Sequence, residues 1–199
     1  MSSLTRIVAW SHELAREVLG RGDLAVDLTA GKGRDTLALA AAVGKTGQVV
    51  SFDTQAVALE QTAALLQQHG YAVKYWSGGR VPAGSEVVLV QTCHSSLEEI
   101  LSRPVRAVLA NLGYLPGGDR TMITRPESTL PALSQSLDLL SIGGRLAVTV
   151  YPAHPGGQQE ALMIDDFFVT LPSDLWQVLS LRVANHSEAP YLLVAERRC

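Results

Sequence analysis

Residues 24–35 read Leu-Ala-Val-Asp-Leu-Thr-Ala-Gly-Lys-Gly-Arg-Asp, an apolar run that leads into a glycine-containing turn. The apolar run at residues 24–28 is bounded by glycines on both sides, which is typical of a buried strand. Residues 34–43 then have the composition of a helix that ends at Gly44. A strand, a glycine turn and a helix in succession indicate the first unit of an α/β fold.

The same alternation continues through the rest of the chain. Helices are predicted at residues 4–20, 34–43, 56–69, 95–101, 130–140 and 158–171, and strands at 24–28, 48–52, 73–76, 87–91, 105–110, 145–150, 176–183 and 191–196. Strands and helices at this spacing form βαβ units and a mostly parallel, doubly wound sheet. The last two strands have no helix between them, so we expect a C-terminal antiparallel hairpin at the sheet edge. Without an internal repeat or linker, residues 1–199 are predicted to form a single domain.

The composition limits the classes of protein that the chain can belong to. Hydrophobic residues make up 47% and charged residues 18%, and the formal net charge is −3. The hydrophobic residues are numerous enough for a complete hydrophobic core. Because the net charge is not positive, any contact with nucleic acid must come from a local basic patch. Cys93, Cys199 and the histidines lack the spacing of a disulfide framework or a metal site. The absence of an apolar signal segment or membrane span predicts a cytoplasmic protein.

The glycine turn predicts a ligand site at the carboxyl end of the first strand. In open α/β sheets, ligands bind at this edge, near the point where the strand order reverses. Gly31 and Gly33 let the backbone approach a ligand, and the following helix N-terminus offers free N–H groups. Asp53 follows the second strand, where an acid can take both hydroxyls of a ribose. Together these features favour a ligand over a purely structural turn.

Two nucleotide-like ligands compete for this geometry. A dinucleotide requires a third glycine three residues after Gly33, but the sequence has Thr36 there. Asp27 at the strand end would repel a pyrophosphate, whereas it suits the ammonium group of a methionine moiety. S-adenosylmethionine is therefore favoured over NAD as the cofactor. Asp35, in the first turn of the next helix, is expected either to contact the amino-acid end of the cofactor or to stabilise the helix N-terminus.

An acceptor site is predicted after the strand at residues 105–110. There the chain reads Asn-Leu-Gly-Tyr-Leu-Pro-Gly-Gly-Asp from Asn111 to Asp119. The side-chain oxygen of Asn111 can accept a hydrogen bond from an amine and so align its lone pair with a methyl group. Tyr114 would form one wall of the site and stack on a planar base. The alternative is a tight loop with a capping Asn and a packed Tyr.

Three histidines are considered for the same region. His154 follows the strand at residues 145–150 and can accept the proton released on methylation, because an imidazole titrates near neutral pH. His94 follows the strand at residues 87–91 and is a candidate to flank the adenine. For both, a purely structural role is the alternative. His12 on the first helix is interpreted as a packing or helix-face residue.

Four segments together resemble the YtqB family, long labelled putative rRNA methylases. They are residues 27–37, 52–55, 111–119 and 151–157, of which the last has the pattern Tyr-x-x-His-Pro-x-Gly. The segment 111–119 is the most specific, because general methyltransferases rarely carry it. Family members are associated with MnmM activity, the methylation of 5-aminomethyl-2-thiouridine at the tRNA wobble position. The resemblance implies a Rossmann-like class I methyltransferase fold, S-adenosylmethionine as the methyl donor and an exocyclic amine of tRNA as the acceptor.

The resemblance also implies roles for individual residues. The resemblance implies that six residues belong to the cofactor site or the active site: Asp27, Gly31, Asp35, Asp53, Gln55 and Asn111. Their neighbours at the same strand ends complete the predicted cofactor site, namely Thr29, Gly33, Thr36, His94 and Leu112. The predicted catalytic set is Asn111, Tyr114 and His154. The sequence departs from the family pattern at Lys32 and Arg34, whose roles are left open.

Arg120 and Arg125, which follow the Asn111 segment, are expected to contact RNA. The alternative for either arginine is that it is a solvated surface residue. A small acidic chain without a basic arm is expected to pair with itself, as a homodimer, to offer a full tRNA surface. Two other functions stay open: a methyltransferase acting on rRNA or on a small-molecule amine, and a non-catalytic scaffold that retains the cofactor site. An NAD-dependent oxidoreductase is disfavoured by Thr36.

Overall fold

The computed structural model describes residues 6–113, 123–153 and 156–199. Within them the helices are α1 (Ile7–Val18), α2 (Arg34–Val43), α3 (Ala56–Gln68), α4 (Leu97–Ile100), α5 (Pro126–Leu139) and α6 (Gly157–Val169). The strands are β1 (Leu24–Asp27), β2 (Gln48–Asp53), β3 (Val73–Tyr75), β4 (Val87–Gln91), β5 (Val105–Asn111), β6 (Leu140–Val150), β7 (Trp176–Leu181) and β8 (Tyr191–Arg197). The predicted alternation of strands and helices is confirmed.

The described strands form one sheet in the order β3-β4-β2-β1-β5-β6-β8-β7. The strands from β1 to β6 pair in parallel, and β8 is antiparallel to both β6 and β7. The doubly wound sheet and its C-terminal antiparallel hairpin are therefore confirmed. Because β8 inserts next to β6, β7 is left as one free edge of the sheet.

The strand order reverses at β1, and this reversal opens a crevice at the carboxyl end of that strand. Asp27, the last residue of β1, is level with Ser51 of β2 and with Leu109 of β5. Two residues further along, Asp53 and Asn111 therefore lie at the same height on either side of the turn after β1. The parallel register thus brings together polar residues that are far apart in the sequence.

Two apolar layers cover the faces of the sheet. Val26 of β1 belongs to the layer that contains side chains of α4, α5 and α6, and its neighbour Ala25 belongs to the layer with α1, α2 and α3. Phe168 and Leu66 are fully buried examples from the two layers. Each such side chain contributes about 1.5–3 kcal/mol to stability when it is removed from water. With both faces covered by helices, ligands are confined to the edge of the sheet.

Two predicted boundaries are wrong, and proline and glycine explain them. α5 begins at Pro126 rather than at residue 130, because proline suits the first helical position, where no N–H is needed. β6 begins at Leu140 rather than at residue 145. Gly143 and Gly144 do not interrupt the strand but accompany an irregularity in its pairing with β5. The remaining boundaries lie within three residues of the prediction.

The start of α2 packs closely against α3. Gly33, at the N-cap of α2, has φ +78°, and a Cβ at this position would lie 2.8 Å from Cα of Thr62 in α3. A side chain cannot be accommodated so close to backbone without a shift of one helix. Gly33 therefore serves the packing of the two helices as well as the turn after β1.

Gly33→Ala is expected to destabilise the protein more than Gly70→Ala. Gly70 has a similar φ of +75°, but nothing lies within 4 Å of where its Cβ would be. Both variants carry the strain of a left-handed residue, about 1–2 kcal/mol, and Gly33→Ala adds a clash that costs roughly 1–3 kcal/mol more. Urea unfolding followed by circular dichroism measures the difference. Equal free energies of unfolding for the two variants would contradict the packing role.

Candidate active site

Three carboxylates meet at the carboxyl edge around β1. Asp27 has no exposed surface, Asp35 in the first turn of α2 is 5% exposed, and Asp53 at the end of β2 is partly buried. Asp27 accepts hydrogen bonds from two neutral groups: the Thr36 hydroxyl at 2.6 Å and the backbone N–H of Thr29 at 3.0 Å. Among the described residues no cation pairs with Asp27, so its carboxylate is buried without a counter-charge.

The environment of Asp27 holds its pKa at about 7, far above the usual value for an aspartate. Burial is the largest cause, and repulsion by the Asp35 carboxylate is the second. The hydrogen bonds from Thr36 and Thr29 lower the pKa, but by less. A cationic ligand would stabilise such a pair of acids, and an anionic pyrophosphate would destabilise them. The donor set therefore fits the sulfonium and ammonium groups of S-adenosylmethionine.

Asp53 links the turns that follow β1 and β2. Its two oxygens accept hydrogen bonds from the N–H of Gly31 and the N–H of Gln55, each at 2.9 Å. Burial raises the pKa of Asp53, and the backbone hydrogen bonds lower it. Gly31 reaches this position with φ +53°. Each carboxylate oxygen keeps a second lone pair, so Asp53 can still accept the two hydroxyls of a ribose.

Two threonines hold these polar groups in place. Thr36 is fully buried, donates to Asp27 and lies 2.9 Å from the hydroxyl of Ser51. Thr29 accepts the backbone N–H of Asn111 at 2.8 Å and so ties the end of β1 to the end of β5. Both side chains support Asp27 or Asn111 in this arrangement. Their direct contact with a cofactor stays a prediction.

A chain of hydrogen bonds joins α1, α2 and β5. Nε2 of His12 lies 2.6 Å from Oδ1 of Asp35. The other oxygen of Asp35 accepts a hydrogen bond from Nδ2 of Asn111. Oδ1 of Asn111 is buried and has no hydrogen-bond partner in the described part of the chain. The interpretation of His12 as a packing residue is wrong, because its ring is directed at the site.

His94 and Leu112 border the same edge. Burial lowers the pKa of His94, while a hydrogen bond with the backbone of Leu28 raises it by less. Nε2 of His94 is buried and finds no partner within the residues that are described. Leu112 is buried, and its N–H donates to the carbonyl of Thr149 at 2.9 Å. A neutral imidazole with a free nitrogen suits the neighbourhood of a nucleobase, and that role stays a prediction for His94.

Tyr151 also belongs to this edge, although the sequence analysis assigns it no role. It follows β6, and its pKa is raised by burial and then by the Asp35 carboxylate. Asn111 pairs with Thr149 of β6, so Tyr151 lies two residues beyond that level. The sequence feature that indicates a site role for Tyr151 is its position just after a strand. Asn111 is identified by the same kind of position at the end of a strand.

Three predicted residues, Tyr114, Arg120 and His154, lie outside the described residues, so their roles stay predictions. Arg125 is exposed and immediately precedes α5.

The segment that begins at Asn111 is closed by contacts between its two ends. The N–H of Thr124 donates to the carbonyl of Gly113 at 2.9 Å, and the N–H of Gly113 donates to the Thr124 hydroxyl at 2.8 Å. That hydroxyl in turn donates to Glu160 of α6 at 3.0 Å. Arg125, the next residue after Thr124, therefore lies near the end of β5.

Within residues 6–113, 123–153 and 156–199, no three His, Cys, Asp or Glu side chains are grouped to hold a metal ion. No helix in these ranges is long and apolar enough to cross a membrane. Cys93 and Cys199 are free thiols.

Comparison with known proteins gives concordant matches. Residues 49–197 match the family model described as "Putative rRNA methylase". The chloroplastic tRNA (mnm(5)s(2)U34)-methyltransferase of Arabidopsis thaliana is 35% identical, over 94% of this chain and 68% of its own length. A putative rRNA-methylase structure from Clostridium thermocellum has a TM-score of 0.86 and 31% identity, covering 96% of this chain and 97% of that chain. SMU.1697c, a putative methyltransferase from Streptococcus mutans solved in complex with SAH, has a TM-score of 0.81 and 31% identity. That match covers 96% of this chain and 98% of the Streptococcus mutans chain.

An acidic crevice that fits a cation carrying a ribose, on a fold whose relatives include a complex with SAH, defines a class I S-adenosylmethionine-dependent methyltransferase. The cofactor predicted from the glycine turn and Asp53 is thereby confirmed. Because the family model covers residues 49–197, the chain belongs to the putative rRNA methylase family, as the resemblance in its sequence predicts. The NAD-dependent oxidoreductase and the non-catalytic scaffold are set aside.

Asp27→Asn is expected to gain stability relative to the wild type as the pH rises. The raised pKa means that the folded protein keeps a proton which the unfolded chain loses, so wild-type stability falls between about pH 4 and pH 7. Asparagine resembles the protonated acid. Its amide can donate to Thr36, whose hydroxyl can then donate to Ser51.

Urea unfolding of the ligand-free proteins at about pH 5 and about pH 8 measures this effect. The difference between the two free energies of unfolding, Asp27→Asn minus wild type, should increase from the lower pH to the higher one. The expected increase is at least about 1 kcal/mol, which corresponds to roughly one unit of pKa. Asp138→Asn, at an exposed position of α5, controls for the change in net charge. A difference that stays constant with pH would show that Asp27 does not carry the raised pKa.

Proposed function

We propose that this protein is a tRNA methyltransferase that transfers a methyl group from S-adenosylmethionine to the 5-aminomethyl group of wobble (2-thio)uridine. The observation that carries the proposal is the buried Oδ1 of Asn111, which finds no partner in the described ranges and lies beside an amide nitrogen that donates to Asp35. The substrate follows from the name of the Arabidopsis relative, a tRNA (mnm(5)s(2)U34)-methyltransferase.

An amine is the acceptor that suits Asn111. A neutral amine is already nucleophilic, and it needs its lone pair aligned with the methyl carbon. A carbonyl oxygen that accepts one of its N–H groups provides this alignment. As the new N–C bond forms and the C–S bond breaks, the positive charge passes from sulfur to nitrogen. The carboxylate of Asp35, next to Asn111, stabilises the resulting ammonium.

The cofactor would be held by the three carboxylates. Asp53 would take the ribose, oriented by the two backbone N–H groups that already bind its oxygens. Asp27 and Asp35 would face the cationic amino-acid portion, whose own carboxylate suits the free N–H groups at the start of α2. When bound, S-adenosylmethionine supplies a methyl group on a sulfonium centre, and the chain supplies the alignment. After transfer the acceptor releases its proton to solvent or to His154.

The RNA backbone is proposed to lie against exposed cations that flank the crevice. Arg125 is exposed at the base of the Asn111 segment, and Lys32 and Arg34 are exposed next to the cofactor turn. Arginine forks and lysine ammonium groups both bind phosphate oxygens. Arg120, from the sequence analysis, is a further candidate. Contacts of this kind supply affinity and leave recognition of the base to the crevice.

We propose further that residues 1–199 form one domain that acts as a homodimer in the cytoplasm. The continuous sheet supports a single domain, and the two free thiols fit a reducing compartment. Exposed apolar side chains support the dimer: Leu179 on the free edge strand β7 is 45% exposed, and Val169 on α6 is 80% exposed. Light scattering after gel filtration is expected to give twice the monomer mass, and a monomer at micromolar concentration would contradict the dimer.

Purified protein is expected to methylate bulk tRNA from a strain that lacks the endogenous enzyme. Radiolabelled S-adenosylmethionine reports transfer, and mass spectrometry of the digested tRNA identifies the product nucleoside. Ribosomal RNA and a free aminomethyl nucleoside are tested in parallel, because the family description names rRNA and a small amine has the same reactive group. Transfer to either of these, with none to tRNA, would replace the proposed substrate.

Asn111→Ala should abolish this turnover and leave S-adenosylmethionine affinity within a few-fold of the wild type, because the lost group aligns the acceptor. Asn185→Ala, in the exposed loop before β8, is the matched control and should behave as wild type. Turnover by Asn111→Ala within about tenfold of the wild type, roughly 1.4 kcal/mol, would rule out the aligning role.

A further inference from the structure

We propose that His12 is a positioning residue of the methyl-transfer site, which fixes the side-chain amide of Asn111 through Asp35. His12 lies on α1, outside the strand-end turns that form the rest of the site, and its Nε2 is 2.6 Å from Asp35. The side chain of His12 is 27% exposed, and that of Asp35 is 6% exposed. The inference relies on the proposed function only for the identity of the acceptor amine.

The carboxylate of Asp35 sets the direction of both hydrogen bonds in this chain. An ionised carboxylate only accepts hydrogen bonds, so it requires an N–H on Nε2 of His12 and the amino group of Asn111. The carbonyl oxygen of Asn111 is then left over, and it is a buried atom that has no hydrogen-bond partner among the described residues. An amide rotated by 180° would present its N–H groups to the acceptor amine and would occupy the lone pair that must attack the methyl group.

The position of His12 is fixed from the sheet. Arg106 of β5 donates to the carbonyl of Val18 at 2.8 Å. Arg145 of β6 donates to the carbonyl of Leu14 and pairs with Glu17, both at 2.7 Å. These two arginines hold the C-terminal part of α1 against the strands that end in the site. The same arrangement directs the ring of His12 at Asp35 rather than into solvent.

The proposed role does not depend on proton transfer by His12. Nε2 carries its hydrogen in the imidazolium and in one neutral tautomer, so the contact with Asp35 is available in both charge states. Among the described residues, the other titratable groups with an electrostatic interaction with Asp35 are Asp27 at the end of β1 and Tyr151 after β6. On α1 itself, Glu13 and Arg16 pair with each other. Removing the imidazole should therefore change the rate but not the pH at which the rate is half-maximal.

Kinetics of variants with tRNA test the inference first. His12→Ala should lower kcat by at least about tenfold, with KM for tRNA and Kd for S-adenosylmethionine within about twofold. His12→Gln offers an amide N–H to Asp35 and should recover most of the loss. His69→Ala is the control, because His69 is exposed at the C-terminal end of α3 and its ring bonds only to the carbonyl of Leu65 among the described residues. An unchanged kcat for His12→Ala would overturn the proposal.

Two further readouts separate positioning from other roles. The pH profile of His12→Gln should match that of the wild type, and loss of one limb would instead identify His12 as a proton carrier and overturn the proposal. In ligand-free protein, nitrogen-15 spectra should show the Asn111 side-chain amide signals shifted or broadened in His12→Ala, and unchanged signals would overturn it as well. These spectra need no substrate, so they test the role of His12 even if the wild-type protein fails to methylate tRNA. Such a failure would count against the proposed function alone.

Discussion

The buried carboxylate of Asp27 pairs with no cation in the part of the chain that the structure describes, and the turn after β1 is organised around that deficit. Transfer of an uncompensated carboxylate from water into a protein interior costs several kcal/mol, and the two neutral hydrogen bonds from Thr29 and Thr36 offset only part of it. Thr36 stands where a dinucleotide-binding loop needs its third glycine. The residue that departs from the dinucleotide-binding pattern is therefore the one that donates to the acid, and that acid would in turn repel a pyrophosphate.

The parallel register of the strands places further polar residues beside Asp27, and together they form the candidate site. Each strand adjoining β1 places a polar residue two positions beyond the level of Asp27, on β2 at Asp53 and on β5 at Asn111. Hydrogen bonds then cross between these ends: Gly31 to Asp53, and Asn111 to Thr29. The proposed cofactor side and the proposed acceptor side are therefore parts of one network. A shift in the pairing of either strand would misplace both sides.

Sequence reasoning was sufficient for features that depend on local order and insufficient for those that depend on packing. Strand ends followed by acids or an Asn identify Asp27, Asp53 and Asn111, because parallel strands bring such positions to one edge. His12 has no such signal. Whether its ring faces the site depends on how α1 rests on β5 and β6, and that placement is set by arginines about 90 or more residues away in the chain. The early start of β6 has a similar origin, since an irregular pairing across Gly143 extends the strand.

The network also places the charges that the proposed reaction would redistribute. Asp35 accepts an N–H donor from His12, whereas Asp27 accepts hydrogen bonds only from neutral groups among the described residues. A bound methyl donor would bring a sulfonium charge and an ammonium charge into this field, so Asp27 would contribute to the binding of that donor. In the proposed reaction the positive charge would end on the acceptor nitrogen, next to Asn111 and Asp35. The attraction of Asp27 for the sulfonium would not speed this transfer, because only interactions that strengthen in the transition state do so, and that contribution would fall to Asp35.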